Sequence, residues 1–308
     1  SGASLISTNV WAIVVCYFPD ESLLTELVDK ISTQVSSVLL LNNGGISEEL
    51  KSQLLNCRNV SIHDFIENKG IAAALNFGFF LAAQNQVEFV ITFDQDSVPP
   101  PNLVDTLIGN WRSLAEIMEQ KIGAIGPSFF DDRNGFIQYP FHRMKGSGLL
   151  VTKLYPESGR DVAPVDLLIT SGMLVPVSMW QSGLKFKEDL FIDYVDTEWC
   201  FRTRAEGYQH FGCFSVSMRH QVSDSGGIDL FGLKLLSYSA IRRYYYYRKT
   251  VFFLMWPYVP LGNKVRLAVG LFIRFPFILL LDKKPILSVG YALRGLFDGL
   301  RGKGGALR

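Results

Sequence analysis

Two carboxylates, Asp94 and Asp96, stand one residue apart in FDQDS, at the end of the apolar run VEFVITF. Paired carboxylates at a strand end offer hard oxygen ligands to a divalent cation, which can in turn neutralise phosphate oxygens. The same stretch also suits a turn, since Asp and Ser are turn formers and Pro99 to Pro101 follow. A second acidic group, Asp193, Asp196 and Glu198, lies in LFIDYVDTEWCFR. A carboxylate of this kind can serve as a general base toward a hydroxyl. Glu198 also has Arg202 at i+4, the spacing of a helical ion pair. Asn42 and Asn43 close another apolar run, and an Asn amide offers both a donor and an acceptor to a ligand.

The elements that must position these groups follow from hydrophobic period. VWAIVVCYF (10–18) is a continuous β-branched run, as in a strand covered on both faces. Residues 21–34 carry Leu23, Leu24, Leu27, Val28 and Ile31 at helical spacing. VSSVLLLNN (35–43), NVSIHDF (59–65), VEFVITFDQD (87–96) and IGAIGP (122–127) read as further strands. A short helix precedes 59–65, and residues 68–84 and 102–120 read as longer helices. The alternation predicts an α/β fold, a mostly parallel Rossmann-like sheet flanked by helices. Ligands of such sheets bind beyond the strands' carboxyl ends. Tyr17, Asn42, Asn43 and Asp94 to Asp96 all fall there. Beyond residue 127 the alternation fades into short strands and loops, until VDTEWCFRTRAEGY (195–208) reads as a helix closed by Gly207.

A chain of 308 residues, 48% apolar and 19% charged, has material for a sizeable core and is not globally disordered. Four scattered cysteines form no C-x-x-C pair and suggest a reducing compartment, with Cys16 a small core residue. The opening SGAS is neither basic nor apolar enough for a signal peptide. The net charge of +1 hides an asymmetry: residues 226–308 hold fourteen Lys and Arg against three acids, leaving sixteen basic and twenty-six acidic residues in 1–225. The basic part also holds VFFLMWPYVP (251–260) and LAVGLFIRFPFILLL (267–281), the latter interrupted by Arg274 and Pro276. These runs fall short of the roughly 20 apolar residues that span a bilayer. Aromatic and aliphatic residues interspersed with Arg and Lys predict instead a helical segment lying on an anionic membrane surface, with RRYYYYRK (242–249) as a basic patch. Basic residues set among bulky aliphatics argue against nucleic acid. The organisation expected is a sheet domain over 1–225 and a C-terminal helical membrane-interface region over 226–308.

VVCYFPD, LLLNNGG, ENKGIAAALNFGF and FDQDS, in this order, resemble the inverting family 2 glycosyltransferases of the GT-A fold, and in particular their bacterial rhamnosyltransferase branch. TSGMLVP (170–176), LFIDYVDTEWCFR (190–202), IRRYYYYRKT (241–250) and RGLFDGLRGKGG (294–305) extend the resemblance over nearly the whole chain. It implies a nucleotide-sugar donor, dTDP-rhamnose favoured over a UDP-hexose, and Mg²⁺ or Mn²⁺ as cofactor. Asp96 is then the metal ligand, and Asp94 reaches the ribose or a metal-bound water. His220, in MRHQVSD, is a further metal or diphosphate contact. Tyr17, Asn42, Asn43, Asn68, Gly70, Asn76, Asp94 and Gln95 form the nucleotide site. Alignment on Arg202 puts the catalytic base at Asp196, with Val195 in place of the usual Glu, which leaves Asp193 and Glu198 as alternatives. Ser171, Gly172 and Trp199 fall on the acceptor side, although Trp199 equally suits a core. The implied acceptor is a polyprenyl-diphosphate-linked glycan of surface polysaccharide synthesis. The implied location is peripheral, on the cytoplasmic face of the bacterial inner membrane.

Other enzyme classes fit less well. A sugar-nucleotide nucleotidyltransferase needs a Gly-rich phosphate loop after the first strand, where CYFPDES has none. A dinucleotide-dependent oxidoreductase needs G-x-G-x-x-G at the same place. A non-catalytic membrane scaffold would have no need for Asp94, Asp96 and Asp196 together.

Overall fold

The computed structural model describes residues 9–132, 135–219, 227–230, 233–236 and 239–307. The first half alternates as its hydrophobic period requires: β1 (Val10–Cys16), α1 (Glu21–Ser32), β2 (Ser37–Asn42), α2 (Glu48–Leu54), β3 (Val60–Asp64), α3 (Gly70–Gln84), β4 (Phe89–Asp94) and α4 (Leu103–Ile117). The boundaries are set locally. Asp20 caps α1 by accepting from the Ser22 and Leu23 amides, and the Ser47 hydroxyl accepts from Leu50 at the start of α2.

There follow β5 (Lys121–Asp131), β6 (Ile137–Tyr139), β7 (Phe141–Lys145), β8 (Leu150–Leu154), β9 (Val162–Val165) and β10 (Met173–Pro176). Next come α5 (Val177–Gln181), α6 (Val195–Ala205), β11 (Tyr208–Arg219), β12 (Gly227–Leu230) and β13 (Leu233–Leu236). The chain then runs through α7 (Ala240–Met255), α8 (Leu261–Leu281) and α9 (Pro285–Leu300).

The main sheet runs β3-β2-β1-β4-β10-β5-β11-β9, with β6 on β5. Its first four strands are parallel, and their register pairs Cys16 with Asn42, Asn42 with Asp64, and Val15 with Asp94. That pairing places the chemically interesting strand ends along one edge. The expected mostly parallel sheet is in fact mixed: β10 runs antiparallel between β4 and β5, and β9 is antiparallel to β11. All four residues of β10 are buried, so this strand needs partners on both sides and inserts into the centre of the sheet.

Alternate β1 residues feed two cores. Val10, Ala12 and Val14 face the layer of α1, α2 and α4, whereas Ile13 faces that of α3, α5 and α6. The second core also contains Phe252, Phe253, Val259 and Leu267, so the C-terminal helices share it with the sheet domain. The expected boundary at 225/226 lies outside the described residues.

Candidate active site

A cleft of about 250 Å³ opens at the carboxyl ends of β1 and β4, lined by Tyr17, Asn43, Asn68, Gly70, Asp94, Gln95 and Thr170, with Val15, Ile71, Leu75, Phe93 and Ile192 as its apolar walls. The parallel strands on either side of β1 belong to connections that diverge, which is where an α/β sheet leaves a crevice. Gln95 fixes one rim: its amide accepts from the Tyr17 N–H at 2.8 Å and donates to the Tyr17 carbonyl at 3.2 Å. The Tyr17 ring is left half exposed beside the cleft. Opposite, Asn43 donates to the Gly70 carbonyl and accepts from the Lys69 amide, while Asn68 accepts from the Gly70 N–H at 2.8 Å. Gly70 has φ +81°, and a Cβ there would collide with the Phe191 carbonyl. Only glycine meets both conditions, so α3 starts hard against the loop that carries the second acidic group.

Thr170 joins the two acidic groups. Its hydroxyl donates to Asp94 Oδ1 at 2.9 Å, and its backbone N–H donates to Asp196 Oδ2 at 3.3 Å. Thr92 holds Thr170 in turn, donating its hydroxyl to the Thr170 carbonyl at 2.6 Å. Burial pushes the Asp94 carboxyl up to about 6 against the opposing Thr170 bond, and the nearby Asp96 charge adds to the rise. Burial likewise raises Asp196 to about 6, with the Asp94 charge adding and the Thr197 and Thr170 amides opposing. Among the described residues no three His, Cys, Asp or Glu side chains converge on one metal position. Asp94 lines the cleft, and Asp96, two residues on, is near enough for its charge to act on Asp94, so two hard carboxylates stand at this strand end. That suits Mg²⁺ or Mn²⁺ whose remaining ligands are phosphate oxygens and water.

The alternatives to Asp196 separate clearly. Glu198 is fully buried, accepting from Arg202 Nε at 2.6 Å and from the Tyr258 hydroxyl at 2.7 Å. A carboxylate so committed is structural. Asp193 lies 3.6 Å from Arg242 and has φ +60°, followed by Tyr194 at φ +62°. Two successive left-handed non-glycine residues cost about 1–3 kcal/mol each. This turn immediately precedes α6, whose second residue is Asp196.

Several expected site residues take other roles. Asn76 is buried beneath the cleft and donates to the Phe186 carbonyl and Glu188 while accepting from the Phe186 N–H and Trp180 Nε1. It pins α3 to the 184–188 loop and is not among the residues that line the cleft. Asn42 is 6% exposed; its amide donates to Asp64 Oδ1 at 2.6 Å and accepts from the Gly44 N–H. It thereby presents Asp64, which Lys51 approaches at 3.0 Å. Despite burial, the Asn42 and Lys51 contacts hold the Asp64 carboxyl below its usual range. Trp199 is 1% exposed, stacked on Phe186 and donating to the Leu184 carbonyl, so it is a core aromatic and no platform for a sugar. Ser171 is buried on Ser97 at 2.5 Å, and Gly172, at φ +73°, makes the turn into β10. Both shape the Thr170 backbone and lie under the cleft. His220 lies outside the described residues.

RRYYYYRK is not a surface patch. Arg243, Arg248 and Lys249 are 2%, 2% and 4% exposed, because α7 is enclosed by α8, α9 and the sheet domain. Arg243 forms a two-bond ion pair with Asp282 at 2.8 and 2.7 Å. Burial lowers the Lys249 ammonium to about 7, with the Asp193 carboxylate opposing. Sequence reasoning missed Thr170, Asp64 and Lys249. Thr170 opens the TSGMLVP stretch, and its position next to Ser171 was its only signal.

The glycosyl transferase family 2 description matches residues 12–147. Over 297 residues the chain is 28% identical to the dTDP-rhamnosyl transferase RfbF of Shigella flexneri, covering 96% of this chain and 97% of that protein. S. aureus TarS 1–349 superposes with a TM-score of 0.52 at 14% identity, over 94% of this chain and 80% of that one. The structure of GalNAc-T7 with UDP, GalNAc and Mn²⁺ superposes with a TM-score of 0.58 at 12% identity, over 87% of this chain, which spans 55% of GalNAc-T7.

Proposed function

We propose that this chain, whose residues 12–147 match the glycosyl transferase family 2 description, moves L-rhamnose from dTDP-L-rhamnose to a lipid-linked glycan, with inversion at the transferred sugar. The observation that carries this reading is the Thr170 bridge, which sets Asp94 and Asp196 on opposite sides of one residue at 2.9 and 3.3 Å. The donor nucleotide lies across Tyr17, Asn43, Asn68 and Gly70. Asp94 and Asp96 would hold Mg²⁺ or Mn²⁺ beside the diphosphate, and the bound cation would supply positive charge to the departing nucleotide.

Asp196 takes the proton of the acceptor hydroxyl as that oxygen bonds to the anomeric carbon from the face opposite the nucleotide. The bond to the diphosphate oxygen breaks as the new one forms. A carboxyl held near 6 by burial is ionised at neutral pH, yet more basic than a solvated aspartate, as a general base must be. The similarity to RfbF supports rhamnose as the sugar.

The acceptor's lipid accords with the outer face of α8 and α9. There Val265, Phe272, Leu280, Ile286, Leu293 and Phe297 stand exposed among Arg266, Lys283, Lys284 and Arg301. No helix among the described residues is long and apolar enough to cross a membrane. An apolar helix face edged with cations suits attachment to an anionic bilayer surface. The expected location is the cytoplasmic face of the inner membrane.

The test is turnover with dTDP-rhamnose and with UDP-hexoses, with Mg²⁺ or Mn²⁺ and with excess EDTA. Metal-dependent release of dTDP in step with glycosylation of a polyprenyl-linked acceptor is expected. Turnover confined to a UDP-sugar would overturn the rhamnose assignment, and full activity in EDTA the metal one.

A further inference from the structure

The loop 189–194 joins the donor cleft to α6, and α7 grips it at Asp189, Phe191, Asp193 and Tyr194. Arg248 donates to the Asp189 carbonyl at 3.2 Å and to the Gly305 carbonyl at 2.6 Å. The Tyr245 ring stacks on Phe191 with centroids 5.3 Å apart and planes 17° from parallel. Arg242 lies 3.6 Å from the Asp193 carboxylate. Lys249 sets its ammonium 3.4 Å from the centre of the Tyr194 ring, and Phe253 meets that ring edge-on at 5.7 Å.

Positions 242, 245, 249 and 253 fall at i, i+3, i+7 and i+11, one stripe of a helix. The stripe faces the left-handed pair Asp193–Tyr194, a conformation that L side chains keep only when the surroundings impose it. Lys249 is 4% exposed, and the Tyr194 and Tyr246 rings both lie within cation–π range of its ammonium. The two rings offset part of the cost of enclosing the Lys249 amine here rather than turning it to solvent.

We propose that Lys249 is a positioning residue for sugar transfer: through the Tyr194 ring it holds the Asp193–Tyr194 turn that launches α6, and so aims the Asp196 carboxylate. This role rests on Asp196 being the base. It also assigns the RRYYYYRKT stretch an internal task, the bracing of the catalytic loop from behind.

The experiment compares Lys249→Met and Lys249→Arg with the wild type in the full-length chain. The readouts are amide hydrogen exchange over 190–198, dTDP binding with Mg²⁺ by calorimetry, and kcat and KM for transfer. Lys249→Met should raise exchange in this segment about tenfold through local opening. It should leave the dTDP affinity near wild type and lower kcat on the order of 10²-fold, as a displaced catalytic group does. Lys249→Arg, which keeps a cation over the ring, should recover most of kcat. If Lys249→Met does not fold, Tyr194→Leu removes the ring alone and should give the same pattern. Wild-type exchange together with wild-type kcat in folded Lys249→Met overturns the proposal, as does equal loss in the Met and Arg variants. Should the wild type transfer no sugar at all, the functional reading falls, and the exchange data still decide whether α7 holds the turn.

Discussion

Replacing Asp196 by Asn should make the protein more stable and nearly inactive at once. In the folded chain the Asp196 carboxyl titrates near 6, against 3.8 for the free group. A gap of roughly two pH units is worth about 3 kcal/mol at 1.36 kcal/mol per unit, all of it opposing folding once the group is ionised. The sign follows from proton uptake. Between the two values the folded state holds the proton and the unfolded state has lost it, so lowering the pH favours the fold. The penalty is fully present above about 6 and disappears as the pH falls toward 3.8.

Asn carries no charge, and its single carbonyl oxygen keeps one of the two acceptor positions that Thr170 and Thr197 now fill. Losing the other costs about 1 kcal/mol, so the net gain above neutrality is about 1–2 kcal/mol. For a chain of this size that is a rise of about 1.5–3 °C in Tm. The assay is differential scanning calorimetry of wild type and Asp196→Asn in EDTA at pH 8 and pH 5, beside turnover at pH 8. The gap in Tm should be largest at pH 8 and shrink by about two-thirds or more at pH 5, while kcat falls by roughly 10²–10⁴ and dTDP still binds. A variant that is less stable than wild type at pH 8 would refute the reasoning, because the carboxylate would then be held by favourable contacts rather than by function. A gap independent of pH would refute the raised value itself.

Asp96→Ala should abolish metal-dependent turnover and weaken dTDP binding in Mg²⁺ but not in EDTA, as calorimetry in both buffers will tell. Glu198→Gln strips the charge from a buried network and should cost about 3–5 kcal/mol in urea denaturation without changing dTDP affinity. Arg243→Gln should be as damaging, since it leaves Asp282 buried and unpaired, and chemical denaturation measures it directly. Replacing Phe272, Leu280 and Ile286 by Gln should reduce co-sedimentation with anionic liposomes while leaving the Tm unchanged, and equal binding by this variant would rule out the outer face of α8 and α9 as the contact.

The four parallel strands and their helices were legible in the sequence because each repeats a short-range signal: β-branched runs such as VWAIVVC, helical spacing in 21–34, and caps such as Asp20 and Ser47. The strand ends then follow almost mechanically, so the cleft between β1 and β4 and the place of Tyr17, Asn43, Asp94 and Gln95 in it could be read from one dimension. Residues whose role depends on what lies across the chain could not. Asn76 looks like a ligand contact until the 184–188 loop is brought over it, and Trp199 until Phe186 stacks on it.

The insertion of β10 into the sheet is equally invisible, because MLVP carries no sign of direction, yet it is what delivers Thr170 between Asp94 and Asp196. Composition misled most at RRYYYYRK. Four cations in eight residues suggest a solvated face, since a buried charge is costly on its own. In the fold Asp282, the Asp189 and Gly305 carbonyls and the faces of Tyr194 and Tyr246 receive three of them, and those partners lie between 39 and 59 residues away for all but Tyr246. Only tertiary structure brings such partners together, and with them a basic stretch becomes an internal brace.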